Sequence, residues 1–115
     1  MQEMCKLMYY TYILRCSDNS LYTGYTTDYK RRFLEHLSHK KKGAKYTRAK
    51  VPVSVEALWG TDTKSSAMKL EAFIKKHSKS QKEEIIEDNT LLYTKYKECL
   101  GDNIYLSMEY EDKEY

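Results

Sequence analysis

Two phenols, a guanidinium, an imidazole and a carboxylate occur in this chain at spacings that could gather them around one phosphate. Tyr12 lies in Tyr10-Thr11-Tyr12-Ile13-Leu14, and Tyr22 in Leu21-Tyr22-Thr23-Gly24-Tyr25-Thr26-Thr27-Asp28. Arg32 and His36 follow four residues apart, and Glu71 comes later. Phosphodiester hydrolysis needs an in-line nucleophile, neutralised phosphate charge and a stabilised leaving oxygen. Arg32 can pair with a phosphate through its planar fork. Mg²⁺ (or Mn²⁺) commonly takes one or two carboxylates and keeps several waters, so Glu71 alone can serve as its protein ligand. A base must activate the water. A phenol, with a reference pKa of about 10, needs a nearby cation to serve, whereas His36, near about 6.5, does not. Tyr12, Tyr22 and His36 all remain open for that role.

These residues must be positioned by the elements around them. Residues 8–16 and 21–26 are rich in Tyr, Thr, Ile and Leu and read as two strands of a hairpin, with Ser17-Asp18-Asn19-Ser20 as turn chemistry. Strand side chains alternate faces, so an odd-length loop such as Asp18-Asn19-Ser20 puts Tyr12 and Tyr22 on one side, and an even one separates them. Asp28 suits the start of a helix over about 29–38, with Tyr29, Phe33 and Leu37 as its buried stripe. Arg32 and His36 form a second row beside that stripe. Pro52 closes the next loop, residues 53–59 read as a third strand, and Gly60 punctuates it. Thr63 or Ser65 can cap a helix over about 65–77, on which Ala67, Leu70, Glu71 and Ile74 share a face. A carboxylate in an apolar stripe is costly to bury unless it is paired or binds a metal. Ser80 followed by Glu83 can open a short helix through about Asp88, and Leu91, Leu92, Tyr93, Tyr96 and Leu100 suggest another, ended by Gly101. Residues 102–115 read as acidic and disordered at the end. The class is α+β.

The chain has 115 residues and 41% hydrophobic content, enough for one domain with a modest core. No apolar run approaches the roughly 20 residues of a membrane span, and the N-terminus lacks a signal-peptide pattern. The expectation is a soluble cytoplasmic protein with no membrane partner. Cys5, Cys16 and Cys99 are odd in number and widely spaced, which reads as free thiols rather than a zinc or redox motif. The net charge of +3 is unevenly spread: residues 1–82 carry a balance of +10, and residues 83–115 a balance of −7. A basic body suggests an anionic partner, and an acidic tail either a solvated appendage or a protein-docking element. In residues 39–50, Lys40, Lys41, Lys42, Lys45, Arg48 and Lys50 surround Tyr46. Such cations can track a phosphate backbone while Tyr46 stacks on a base, and nothing points to base-edge reading. His39 and His77 read as surface residues and Trp59 as core.

The strings around Tyr10–Tyr12 and Tyr22-Thr23-Gly24, with Asp28 and Arg31-Arg32, resemble the GIY-YIG endonuclease superfamily. Leu21–Asp28, Gly43-Ala44-Lys45-Tyr46-Thr47-Arg48 and Glu71-x-x-Ile74-Lys75-Lys76 are similar to its small single-domain bacterial branch, an uncharacterised protein family. The resemblance covers roughly residues 8–88. It implies a small three-stranded antiparallel sheet flanked by helices, a nuclease domain over 1–88 and an acidic C-terminal extension over 89–115, partly helical or disordered. It also implies a metal-dependent endonuclease acting on DNA, structure- rather than sequence-selective, with Mg²⁺ or Mn²⁺ held by Glu71. Tyr12 and Tyr22 match the motif tyrosines, Arg32 the helix arginine and Glu71 the metal-binding glutamate. His36 stands where relatives place a His or Tyr near the attacking water. Tyr25 stands where several relatives have a Lys, and Arg31, Lys40, Lys41, Lys42, Lys45, Tyr46 and Arg48 complete the implied nucleic-acid surface. Three departures stand out: Tyr10 replaces the glycine of the first motif, Thr23 replaces the isoleucine of the second, and the polar residue often found after the glutamate has no match. The competing function is a non-catalytic nucleic-acid-binding module. The cysteine-rich zinc module of scaffold-dependent structure-selective nucleases is missing from this sequence.

Overall fold

The structure is a computed structural model and describes residues 8–38 and 51–110. Its elements are β1 (Tyr9–Cys16), β2 (Leu21–Thr26), α1 (Tyr29–Ser38), β3 (Pro52–Thr61), α2 (Lys64–Lys75), α3 (Lys79–Glu87), a 3-10 segment (Asn89–Tyr93), α4 (Lys97–Leu100) and β4 (Leu106–Ser107). The strands form one antiparallel sheet in the order β2-β1-β3-β4.

Four strands stand where the sequence suggested three. The added β4 is two exposed residues pairing Trp59 with Ser107 and Gly60 with Leu106. Two residues carry no readable alternation. The residues just beyond β4 hold the pairing: the Met108 amide donates to the Leu58 carbonyl at 2.8 Å, and Met108 and Tyr110 pack against the sheet. The third strand also starts earlier and ends later than expected. Pro52 sits at its first position, where a missing amide is tolerated, and Gly60 lies inside it.

The β1–β2 loop is odd in length, although shifted by one residue from the Asp18-Asn19-Ser20 alternative. The Cys16 amide donates to the Ser20 carbonyl at 2.9 Å, leaving Ser17-Asp18-Asn19 as the loop. Asn19 takes a left-handed φ of 71°, which Asn tolerates better than most residues. The Asp18 carboxylate accepts from the Ser20 amide at 3.0 Å. The resulting register pairs Tyr12 with Gly24 and Leu14 with Tyr22, so both tyrosines share one face.

That face is covered by α1. Tyr12, Leu14, Phe33 and Leu58 form its core, with Tyr29, Met108 and Tyr110 at the margin. Asp28 starts the helix, accepting from the Arg31 amide at 3.2 Å. The opposite face carries the larger core, built from Ile13 and Trp59 of the sheet and Leu70, Phe73 and Ile74 of α2. Thr63 caps α2 by accepting from the Ser66 amide at 3.0 Å. Ser78, not Ser80, caps α3, in a capping box with Gln81. The box places the helix start two residues ahead of the Ser80 signal.

The segment beyond residue 88 contributes Leu92, Tyr96, Leu100 and Tyr105 to this same core. Burying such side chains contributes roughly 1.5–3 kcal/mol each. The Tyr105 hydroxyl donates to the Ser66 carbonyl at 2.9 Å, and the Tyr93 hydroxyl donates to the Tyr105 carbonyl. Residues 102–110 are thereby tied to α2 and the sheet, and residues 111–115, at the end where the sequence suggested disorder, lie outside the described residues.

Candidate active site

Tyr12 is 2% exposed, and its ring lies edge-on to Phe33 with centroids 5.2 Å apart. The ring reaches sideways over β2, the edge strand, which has Gly24 beneath it. A Cβ built on Gly24 would stand 2.6 Å from the Tyr12 hydroxyl oxygen. The glycine is therefore the space that lets the phenol reach the sheet edge. Tyr22, two residues along the same strand, is 46% exposed, with its ring centroid 6.4 Å from that of Tyr12. His36 joins them from α1, its ring 6.3 Å from Tyr12 and 5.7 Å from Tyr22. Arg32 lies one turn earlier on that helix and is exposed.

Glu71 comes from the other layer. Its side chain is 21% exposed, at the margin of the buried stripe of α2 rather than inside it. The Lys75 ammonium stands 3.3 Å from its carboxylate in an i,i+4 pair, so the cation beside Glu71 is Lys75 and not Arg32. The charges of Arg32 and Glu71 both act at the Tyr12 hydroxyl. Burial pushes that phenol up to about 12, the neighbouring Tyr22 adds to the rise, Arg32 opposes it and Glu71 adds to it. Desolvation outweighs the guanidinium because Tyr12 sits in an apolar shell, whereas Arg32 is in water. In the free chain Tyr12 therefore holds its proton more firmly than an ordinary tyrosine.

The structure thus brings together Tyr12, Tyr22 and His36 as neighbouring rings, with Arg32 and Glu71 within electrostatic reach. Tyr25 is placed differently. It pairs with Thr11, whose hydroxyl donates to the Ala67 carbonyl of α2 at 2.8 Å, so Tyr25 takes the α2 side of the sheet. Arg31 pairs with Glu35 at 3.6 Å and lines a small cavity of about 90 Å³ with Thr26, Thr27, Asp28 and Arg32. Lys40, Lys41, Lys42, Lys45, Tyr46, Arg48 and Lys50 lie outside the described residues. Among the described residues no three His, Cys, Asp or Glu side chains gather as a metal cluster. A divalent cation would rest on Glu71 and water, which suits Mg²⁺ and its preference for few carboxylates.

The profile of the GIY-YIG catalytic domain matches residues 8–84. The chain belongs to this family. A UPF0213 protein of Fusobacterium nucleatum is 49% identical over 80 residues, covering 70% of this chain and 78% of that protein. Another from Cupriavidus necator is 53% identical over 74 residues, 64% of this chain and 78% of the relative. A solution NMR structure of a UPF0213 protein from Bacillus halodurans is 40% identical, covers 75% of this chain and 96% of that one, and superposes with a TM-score of 0.46. Within the GIY-YIG domain, all five residues of the expected set lie inside the matched span. Among the described residues, no helix is long and apolar enough to cross a membrane.

Two members of this neighbourhood stand in the motif strings but were given no role from the sequence. Gly24 matters for the room it leaves above it, which depends on the hairpin register. Lys75 carried a usable signal, since Glu four residues ahead of Lys on a helix is a standard pairing.

Proposed function

We propose that the chain is a metal-dependent endonuclease that hydrolyses phosphodiester bonds in DNA and selects its substrate by structure rather than sequence. The observation that carries this reading is the meeting at the Tyr12 hydroxyl of influences from both helical layers, Arg32 from α1 and Glu71 from α2, with Tyr22 and His36 packed alongside. A pure binding surface has no need to bring a half-buried carboxylate toward bound phosphates.

Glu71 is the residue that would hold Mg²⁺ or Mn²⁺, and such an ion supplies Lewis-acid polarisation of the phosphate and of the leaving oxygen. Arg32, exposed on α1, pairs with a non-bridging oxygen through its planar fork. Tyr12 keeps its proton and acts as a hydrogen-bond donor toward the phosphate, because burial disfavours the phenolate. That assigns proton removal from water to Tyr22 or His36, the two rings beside it. Arg31 and the basic run Lys40 to Arg48 supply sequence-independent contacts to the backbone.

The reading is tested with purified protein on branched, nicked, single-stranded and duplex substrates in Mg²⁺, Mn²⁺ or EDTA. Cleavage that needs the metal and is lost in Glu71→Gln and Arg32→Ala is the expected result. A second reading is a binding module without turnover. The neutralising contact of Lys75 on Glu71 and the firmly protonated Tyr12 favour it. Binding to the same substrates without cleavage in any metal would establish it instead.

A further inference from the structure

Lys64, Met68, Glu71 and Lys75 occupy positions i, i+4, i+7 and i+11 of α2 and so form one edge of that helix. Lys75 is the residue of this edge that touches Glu71, with its ammonium 3.3 Å from the carboxylate and its side chain 56% exposed. An ammonium at that distance stands where a divalent cation's charge would be needed. It is held there weakly, because an exposed i,i+4 pair shifts an equilibrium by only about twofold. Its flexible stem and strong hydration let it leave for water at little cost.

We infer that Lys75 is the exchangeable counter-cation of Glu71: it neutralises the carboxylate in the free chain and, once displaced, turns to a phosphate of the bound nucleic acid on the same edge of α2. This rests on the nuclease reading and adds a coupling to it. Lys75 is a positioning residue shared by two anions, Glu71 and the substrate backbone. When Glu71 is satisfied by another cation, the ammonium is released to the backbone, so metal and nucleic acid favour each other's binding. Without the metal, the backbone must compete with Glu71 for the same ammonium.

The test uses the full chain and two binding measurements that need no turnover. Mn²⁺ is titrated into the protein and followed by water-proton relaxation. Lys75→Met should bind Mn²⁺ about twofold more tightly than wild type, since a competing positive charge has gone. Lys75→Arg, which keeps that charge, should not. Binding of a fluorescent duplex is then followed in EDTA. Lys75→Met should change affinity less than twofold when Glu71 is present. In a Glu71→Gln background, where the ammonium is free, the cost should be about twofold larger, the strength of the broken pair, and the salt slope should fall by about one. Equal effects of Lys75→Met in both backgrounds, or Mn²⁺ affinity unchanged in Lys75→Met, overturn the inference and leave the nuclease reading standing. If wild type shows no Mn²⁺ binding that Glu71→Gln removes, both fall together.

Discussion

The hydroxyl of Tyr12 lies directly over Gly24, so close that a Cβ on Gly24 would meet the hydroxyl oxygen at 2.6 Å and the ring's Cζ at 2.8 Å. The cross-strand pairing of these two residues sets the contact. A glycine on the edge strand and a phenol on its neighbour are thus one structural unit, and their fit aims the phenol at the margin of the sheet.

Gly24→Ala should accordingly destabilise the fold by about 1–3 kcal/mol, the usual cost of overpacking, and lower the melting temperature by several degrees. Adding Tyr12→Phe should recover only part of the loss, because the ring carbon is crowded as well as the oxygen. Thermal unfolding followed by circular dichroism reads both steps, and full recovery in the double variant would show that the hydroxyl contact alone is responsible.

Tyr12 and Tyr105 are both pushed up to about 12 by burial. The unfolded chain releases these protons near 10.0 and the folded chain near 12. Their contribution to stability is therefore complete below about 10 and is lost as pH climbs toward 12. Tyr10 is raised as well, by burial first, so absorbance titration should show a late-ionising set that loses one phenol in each of Tyr12→Phe and Tyr105→Phe. Stability, read from urea denaturation between these pH values, should decline less steeply in either variant than in wild type.

Acid should act elsewhere. Arg15 holds Glu83 through two bonds of 2.8 Å, and Lys79 adds a third contact at 3.0 Å. These partners, Arg15 first, hold the Glu83 carboxyl down to about 2. A depressed carboxylate contributes stability that is present above its unfolded value of 4.5 and lost as pH falls toward 2. Glu83→Gln should cost about 1–2 kcal/mol at neutral pH, allowing for solvent screening. It should also flatten the decline of urea midpoints across that acid range.

The proposed chemistry predicts a loss of cleavage of about 10²- to 10³-fold in Arg32→Ala, the size expected for removing a charge-stabilising donor. Arg32→Lys should restore little, because a point charge lacks the planar fork. The melting temperature should stay near that of wild type, since Arg32 is exposed. Single-turnover cleavage on the preferred substrate separates this outcome from a folding defect.

The C-terminal arm offers a last check. Tyr110 lies edge-on to Phe33 at 4.9 Å, and Phe33 lies edge-on to Tyr12 at 5.2 Å. Tyr110→Ala should remove about 0.5–1.5 kcal/mol of ring contact beyond the area it buries. Hydrogen exchange should accelerate along α1, which would leave Tyr12 and His36 less firmly placed.

What was legible in the sequence was local. Enrichment in Tyr, Thr, Ile and Leu around a turn marked β1 and β2, the Tyr29, Phe33 and Leu37 spacing marked α1, and the motif strings around Tyr12, Tyr22, Arg32 and Glu71 marked the family, because each signal lies within a few residues. The four-stranded sheet, the place of Tyr105 in the main core, the room above Gly24 and the rise of the Tyr12 phenol were settled by tertiary contacts. β4 exists because Met108 and Tyr110 find the sheet, and two strand residues carry no period of their own. Tyr12 is held protonated because burial outweighs a nearby guanidinium. That balance depends on which atoms surround the hydroxyl, and neither spacing nor composition records it.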